Sequence, residues 1–123
     1  MHKINAIHHV SLVVEDTGRA LAFYRDLLGI PQCARPELGF PGAWLQLGDL
    51  QIHLLELPNP DPVEGRPQHG GRDRHVAFGV SGLDEIRALL EARDVAFTLS
   101  KSGRKALFCR DPDGNAVELI EQG

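Results

Sequence analysis

The sequence of 123 residues has only two cysteines, one tryptophan, one tyrosine and one methionine, and none of its apolar runs approaches the roughly 20 residues of a membrane span. Each shortage excludes something. Cys33 and Cys109 have no CxxC spacing and make no disulfide framework, which suits a reducing compartment and gives both a packing role. The opening MHKINAIHHV has neither a signal-peptide apolar core nor a cleavage site, so a cytoplasmic location is expected. Positive charge is also short, with 13 Lys and Arg against 17 Asp and Glu and a net charge of −4. That balance gives no general attraction to nucleic acid or to an anionic membrane surface. What remains is one domain with enough apolar residues for a real core.

The segment IHHVSLVV is β-branched and short, with His9, Ser11 and Val13 on one face and Val10, Leu12 and Val14 on the other, which predicts a strand. EDTGRALAFYRDLLG predicts a helix, with Asp16 and Thr17 as candidate caps, an apolar stripe of Leu21, Tyr24 and Leu28 beside Phe23 and Leu27, and a stop at Gly29. AWLQLG and LQIHLLEL form two strands around the turn Gly48-Asp49, and a weaker strand is expected near Cys33. Residues 58 to 74 are rich in Pro and Gly and have no apolar period, as in a linker or a mobile active-site loop.

Beyond that connection the order repeats. RHVAFGV echoes HHVSLVV, then SGLDEIRALLEARDV predicts a helix with Ser81 as a possible cap, and KALFCRDPDGNAVELIE echoes the first hairpin. The expected class is α+β, one domain over residues 1 to 123 made of two βαβββ modules: module 1 over about 4 to 58, a connection over 59 to 73, and module 2 over about 74 to 122. Within the repeat His9 matches His75, and the glutamates inside the closing strands, Glu56 and Glu118, are read as a second matched pair. A buried carboxylate costs several kcal/mol, roughly, unless something meets it. Two facing modules would bring together two imidazoles and two carboxylates, a donor set that suits one divalent ion: zinc, nickel, cobalt, manganese or iron(II). His53 lies on the face opposite Glu56 and is the weaker candidate, and His69 sits in the connection.

These residues carry a family resemblance. HHVSLVVEDTGRALAFYRDLLGI, IHLLEL, RHVAFGV and above all DPDGNAVELIE resemble the vicinal oxygen chelate superfamily, the group of glyoxalase I, extradiol dioxygenases, fosfomycin-resistance enzymes and bleomycin-binding proteins. The resemblance covers essentially the whole chain. It implies paired βαβββ modules forming a cupped mixed sheet around a metal, ligands at His9, Glu56, His75 and Glu118, a small-molecule substrate and a homodimer.

Several chemistries stay open at this point. In a glyoxalase-like reading a substrate with two adjacent oxygens chelates the ion while Glu118 or Glu56 removes a proton alpha to a carbonyl. An extradiol-type iron(II) dioxygenase would need three of the four ligands. A thiol transferase, a methylmalonyl-CoA epimerase-like activity and a metal-free antibiotic-binding protein complete the set. Val13 stands where the resembling bacterial glyoxalases carry an arginine that grips glutathione, which argues against that substrate. Arg72, Arg74, Arg104 and Arg110 are candidates to clamp a small anionic metabolite or simply a solvated rim, and Trp44 is a candidate to stack on it.

Overall fold

The computed structural model describes residues 1–123 and divides them into two compact units, Met1–Asn59 and Pro60–Gly123. The first unit runs β1 (His9–Val14), α1 (Thr17–Leu21), β2 (Gln32–Cys33), β3 (Gly42–Leu47) and β4 (Leu50–Glu56). The second runs β5 (His75–Val80), α2 (Leu83–Ala92), β6 (Phe97–Leu99), β7 (Ala106–Arg110) and β8 (Ala116–Glu121). Each unit holds a four-stranded mixed sheet, and the strand orders β1-β4-β3-β2 and β5-β8-β7-β6 are the same order repeated. The opening strand of each pairs in parallel with the closing strand, and the rest is antiparallel.

In module 1 the helix-facing side of the sheet is apolar because alternate residues share a face. Val14, Ala43, Leu45, Ile52 and Leu54 are buried there, with Ala20, Leu21, Phe23 and Tyr24 from the helical segment. Burying each of the Val, Leu, Ile and Phe side chains among them stabilises the fold by about 1.5–3 kcal/mol, taken from water-transfer areas. Asp16 caps α1 as expected, its carboxylate accepting from the Arg19 amide at 3.1 Å. The helix then widens into a π-helical turn over Ala22–Leu27, with the Leu28 amide donating to the Phe23 carbonyl. That wider turn shifts the buried stripe to Ala20, Leu21, Phe23 and Tyr24, and leaves Leu27 and Leu28 only half-buried.

Module 2 repeats the arrangement, with Phe78, Leu83, Leu90, Leu107, Cys109, Val117 and Leu119 buried. Ser81 does not cap α2: Gly82 is the N-cap residue, at φ 78°, and the Ser81 hydroxyl donates to the Gln122 carbonyl. The amides of Gly82 and Leu83 donate instead to the Glu121 carboxylate at 3.2 and 3.1 Å. The β7–β8 turn is organised by Asp111, whose Oδ1 accepts from the Asp113 and Asn115 amides, while Gly114 supplies the positive φ of 81°.

The connection is fastened to module 2. Arg110 Nη1 donates to Asp73 and to the Gly114 carbonyl, both at 2.8 Å, and Nη2 donates to the Pro67 carbonyl at 2.6 Å. Arg66 joins Asp73 from the other side at 2.9 Å. A 3-10 turn at Gly70–Arg72 then rests on the sheet, and a Cβ at Gly70 would approach the Phe108 Cβ to 3.2 Å. No helix is long and apolar enough to cross a membrane.

Candidate functional site

Strand parity decides which polar residues share a face. In module 1 the parallel register aligns His9 with Gln51, Ser11 with His53 and Val14 with Glu56, while β3 sets Trp44 opposite His53 and Gln46 opposite Gln51. His9, Trp44, Gln46, Gln51 and His53 therefore lie on the side away from α1. Three of them form a ring stack: Trp44 on His53 at 4.0 Å and 6°, and His53 on His9 at 4.1 Å and 21°. His53 is 8% exposed, and burial, with the positive character of His9, His8 and Arg35 nearby, holds its imidazolium below the ordinary pKa. The ring is neutral at neutral pH, the form that can ligate a metal.

Glu56 is on the other face. Its carboxylate accepts from the Thr17 amide at 2.8 Å and the Thr17 hydroxyl at 3.1 Å, which satisfies the first turn of α1. The expected pairing of Glu56 with Glu118 is corrected by the register. In module 2 His75 aligns with Ala116, Ala77 with Glu118 and Val80 with Glu121, so Glu56 corresponds to Glu121 and the counterpart of Glu118 is His53. Glu121 serves α2 as Glu56 serves α1. Counting from the hairpin turns shows the same thing in the sequence: His53 is four residues after Asp49, and Glu118 four after Gly114. Matching glutamate to glutamate obscured it.

On the corresponding face of module 2, Glu118 is 3% exposed and its Oε1 lies 3.2 Å from His75 Nε2. His75 Nδ1 is 2.9 Å from the Asp73 carbonyl oxygen. A carbonyl only accepts, so Nδ1 carries the proton, and a neutral His75 presents a bare lone pair at Nε2 to another acceptor. The second Glu118 oxygen is buried without a hydrogen bond; its one cationic neighbour, Arg104 Nη2, stands 3.8 Å away on a largely exposed side chain. With Nδ1 protonated, the contact between Nε2 and the Glu118 carboxylate is made through a shared proton or through a metal ion. The donor chemistry of His75 and Glu118 fits a divalent ion. Nowhere do three or more His, Cys, Asp or Glu side chains form a group that could hold one.

The remaining candidates are distributed as follows. Arg110 is committed to the Asp73 clamp and Arg74 to Asp61 at 2.8 Å, while Arg72 is exposed and unpaired. Of the four, Arg104 alone reaches Glu118. His69, in the connection, places its ring 4.9 Å from Phe108 and its Nδ1 2.6 Å from the Thr98 hydroxyl, and His75 meets Phe108 at 5.1 Å.

The family model for the Glyoxalase/Bleomycin resistance protein/Dioxygenase superfamily matches residues 6–119. The chain is 32% identical to the uncharacterized protein YwkD of Bacillus subtilis, covering 97% of this chain and 98% of that protein. It is 31% identical to Glyoxylase I 4 of Arabidopsis thaliana, over 94% and 70% of the two chains. A crystal structure from Bacillus anthracis, described as of a glyoxalase family protein, superposes with a TM-score of 0.80 over 100% of this chain and 99% of that one, at 24% identity, and shows the shared fold. Relatives with other activities in their names include the glutathione transferase FosA of Serratia marcescens, 29% identical over 94% and 80% of the chains. The mitochondrial methylmalonyl-CoA epimerase of Mus musculus is 25% identical over 98% and 74%.

Proposed function

The chain belongs to the Glyoxalase/Bleomycin resistance protein/Dioxygenase superfamily, and on that premise we propose that it is a divalent-metal-dependent enzyme. Its reaction is proton transfer, of lyase or isomerase type, on a small anionic metabolite that offers two adjacent oxygens. The observation that carries this reading is the approach of His75 Nε2, at 3.2 Å, to a buried Glu118 carboxylate whose other oxygen has no hydrogen bond. The names of the relatives span a glyoxylase, an epimerase and a glutathione transferase, and an epimerase among them supports the proton-transfer reading.

The ligands in this proposal are His75 and Glu118 from module 2 with His9 and His53 from module 1. His53 takes the place expected of Glu56, whose carboxylate serves Thr17. The bound ion would supply Lewis-acid polarisation of a substrate carbonyl. Glu118 is the carboxylate on the ligand face and the candidate general base, because Glu56 and Glu121 are both spent on helix ends. Arg104, near Glu118 and otherwise held only by Ser102, is the candidate to receive the substrate's negative charge.

The test is metal analysis of protein purified without chelators or a metal-affinity tag. Near-stoichiometric metal in the wild type, lost in His53→Ala and in Glu118→Gln but kept in Glu56→Gln, is the expected pattern. Metal-free wild-type protein with an intact fold and no restored binding on adding zinc, nickel, cobalt, manganese or iron(II) would overturn it in favour of a metal-free binding protein. Hydrogen exchange alpha to a carbonyl, followed by NMR on small dicarbonyls and hydroxy acids, then separates proton transfer from dioxygen chemistry.

A further inference from the structure

A chain of side-chain amides on the ligand face of module 1 has a direction. Gln46 Nε2 lies 2.7 Å from the Gly48 carbonyl and 3.5 Å from that of Leu50. Carbonyl oxygens only accept, so this end of Gln46 is its NH2 group and the other end is its oxygen. That oxygen lies 2.9 Å from Gln51 Nε2, which therefore donates. The Gln51 oxygen is then turned to His53 Nε2 at 2.9 Å, and an amide oxygen in that position demands a proton on the ring nitrogen. The polarity set at a hairpin carbonyl propagates through two glutamines to one imidazole.

We propose that Gln46 and Gln51 are positioning residues that hold His53 in its Nε2–H tautomer, so that Nδ1 is the only atom of the ring able to donate a lone pair to a cation. The inference rests on the metal reading for its purpose, although the tautomer itself is independent of any metal. Strand geometry makes the relay possible: Gln46 and Gln51 are cross-strand partners, and Gln51 and His53 are two apart on one strand, so all three side chains share a face. Trp44, stacked on the ring at 4.0 Å and 6°, prevents the plane from turning away from Gln51. In module 2 the Asp73 carbonyl performs the corresponding service for His75, but fixes the opposite nitrogen, Nδ1, as the protonated one. The carbonyl and amide partners thus protonate different imidazole nitrogens in the two modules, Nε2 of His53 and Nδ1 of His75.

The experiment is long-range 1H–15N NMR on the metal-free full chain, with the His53 signals assigned by their loss in His53→Ala. A protonated Nε2 and a bare Nδ1 are expected at neutral pH. Gln51→Leu is expected to release the ring to a tautomer mixture, and Gln51→Glu, which keeps an acceptor facing Nε2, to restore the single form. Gln46→Leu, one step further from the ring, frees the Gln51 amide to flip and is expected to give the mixture without disturbing the packing of His53. A bare Nε2 in the wild type, or a tautomer unchanged in both leucine variants, would overturn the proposal. In a parallel titration with zinc, Gln51→Leu is expected to weaken binding about 10–100-fold, the usual effect of removing a partner that orients a ligand. If the tautomer follows the glutamines but zinc binds His53→Ala as well as wild type, the metal reading fails and the relay remains.

Discussion

Replacing Glu56 by alanine separates two roles that one glutamate could have had. In the structure its carboxylate accepts from the backbone amide and the hydroxyl of Thr17, at 2.8 and 3.1 Å. Hydrogen bonds to a charged partner contribute about 1.5–3 kcal/mol each when buried, and the partial exposure of this carboxylate reduces their sum to about 1–2 kcal/mol, close to the measured cost of losing a helix N-cap. The expected result for metal-free Glu56→Ala is a loss of that size in urea unfolding and a melting temperature lower by several degrees, since roughly 1 kcal/mol moves a domain of this length by about 3–5 °C. Glu121→Ala removes the matching bonds to Gly82 and Leu83 in module 2 and is expected to behave as its twin. Thr17→Ala removes only the hydroxyl and leaves the amide bond, so about half the loss is expected, and it should be non-additive with Glu56→Ala because the two share one contact. The same samples are analysed for metal content. A Glu56→Ala protein that loses its metal while keeping wild-type stability would refute the assignment of Glu56 to the helix and restore it as a ligand.

Other perturbations follow from the same geometry. The pKa of His53 is depressed by burial, so the folded state resists a proton that the unfolded chain takes up near pH 6.5; stability is fully present above that pH and falls as the pH is lowered, and His53→Gln is expected to flatten the urea-midpoint profile of metal-free protein between about pH 5 and 7.5. The Asp73 carboxyl is held below the usual range first by its hydrogen bond from Arg110, with Arg66 adding charge. Its contribution is therefore present above the ordinary carboxylate pKa and lost as pH falls through the lower folded value. Arg110→Gln is expected to move acid unfolding, followed by circular dichroism, to higher pH. Burial pushes the Cys109 thiol up to about 12, so alkylation of the native protein near pH 8 is expected to modify the half-buried Cys33 and to reach Cys109 only in denaturant; equal native labelling of both would contradict the packing of β7.

The repeat was legible because its signals are periodic and local. Alternation in HHVSLVV and RHVAFGV gave the opening strands, and the Gly48-Asp49 and Asp113-Gly114 turns gave the hairpins, each now seen as strand, turn and strand. Less visible was what depends on hydrogen bonds between residues distant in sequence. Ser81 precedes a helix and has the chemistry of a cap, yet the amides it would meet are 38 and 39 residues from their acceptor on Glu121. Arg110 looked like a substrate clamp because nothing in its neighbourhood revealed Asp73, which arrives from the connection. The connection has no apolar period, and its order comes from that clamp and from Gly70 seated against Phe108. His53 is the instructive case, because the information was present in its distance from the turn.

The corrected register also changes the chemistry that the site can support. In each closing strand the proposed ligand and the helix-serving glutamate are three residues apart, His53 with Glu56 and Glu118 with Glu121, and an odd spacing on a strand places them on opposite faces. Neither role can migrate to the other residue unless the strand slips by an odd number of positions, which would turn Ile52 and Leu54, or Val117 and Leu119, out of their cores. The repeat therefore keeps a glutamate serving the helix start in both modules and lets the residue three positions before it differ, histidine in one module and glutamate in the other. In the proposed function this replaces two imidazoles and two carboxylates by three imidazoles and one carboxylate. A 2+ ion then keeps a net positive charge instead of being neutralised. Nitrogen-rich donors favour zinc, nickel, cobalt or iron(II) over magnesium and manganese, and the residual charge favours an anionic substrate with adjacent oxygens. His53→Glu restores the two-carboxylate set without moving the register, and is expected to shift metal preference towards manganese and to weaken the hold on an anionic ligand. An unchanged order of metal affinities in that variant would show that His53 is not among the ligands.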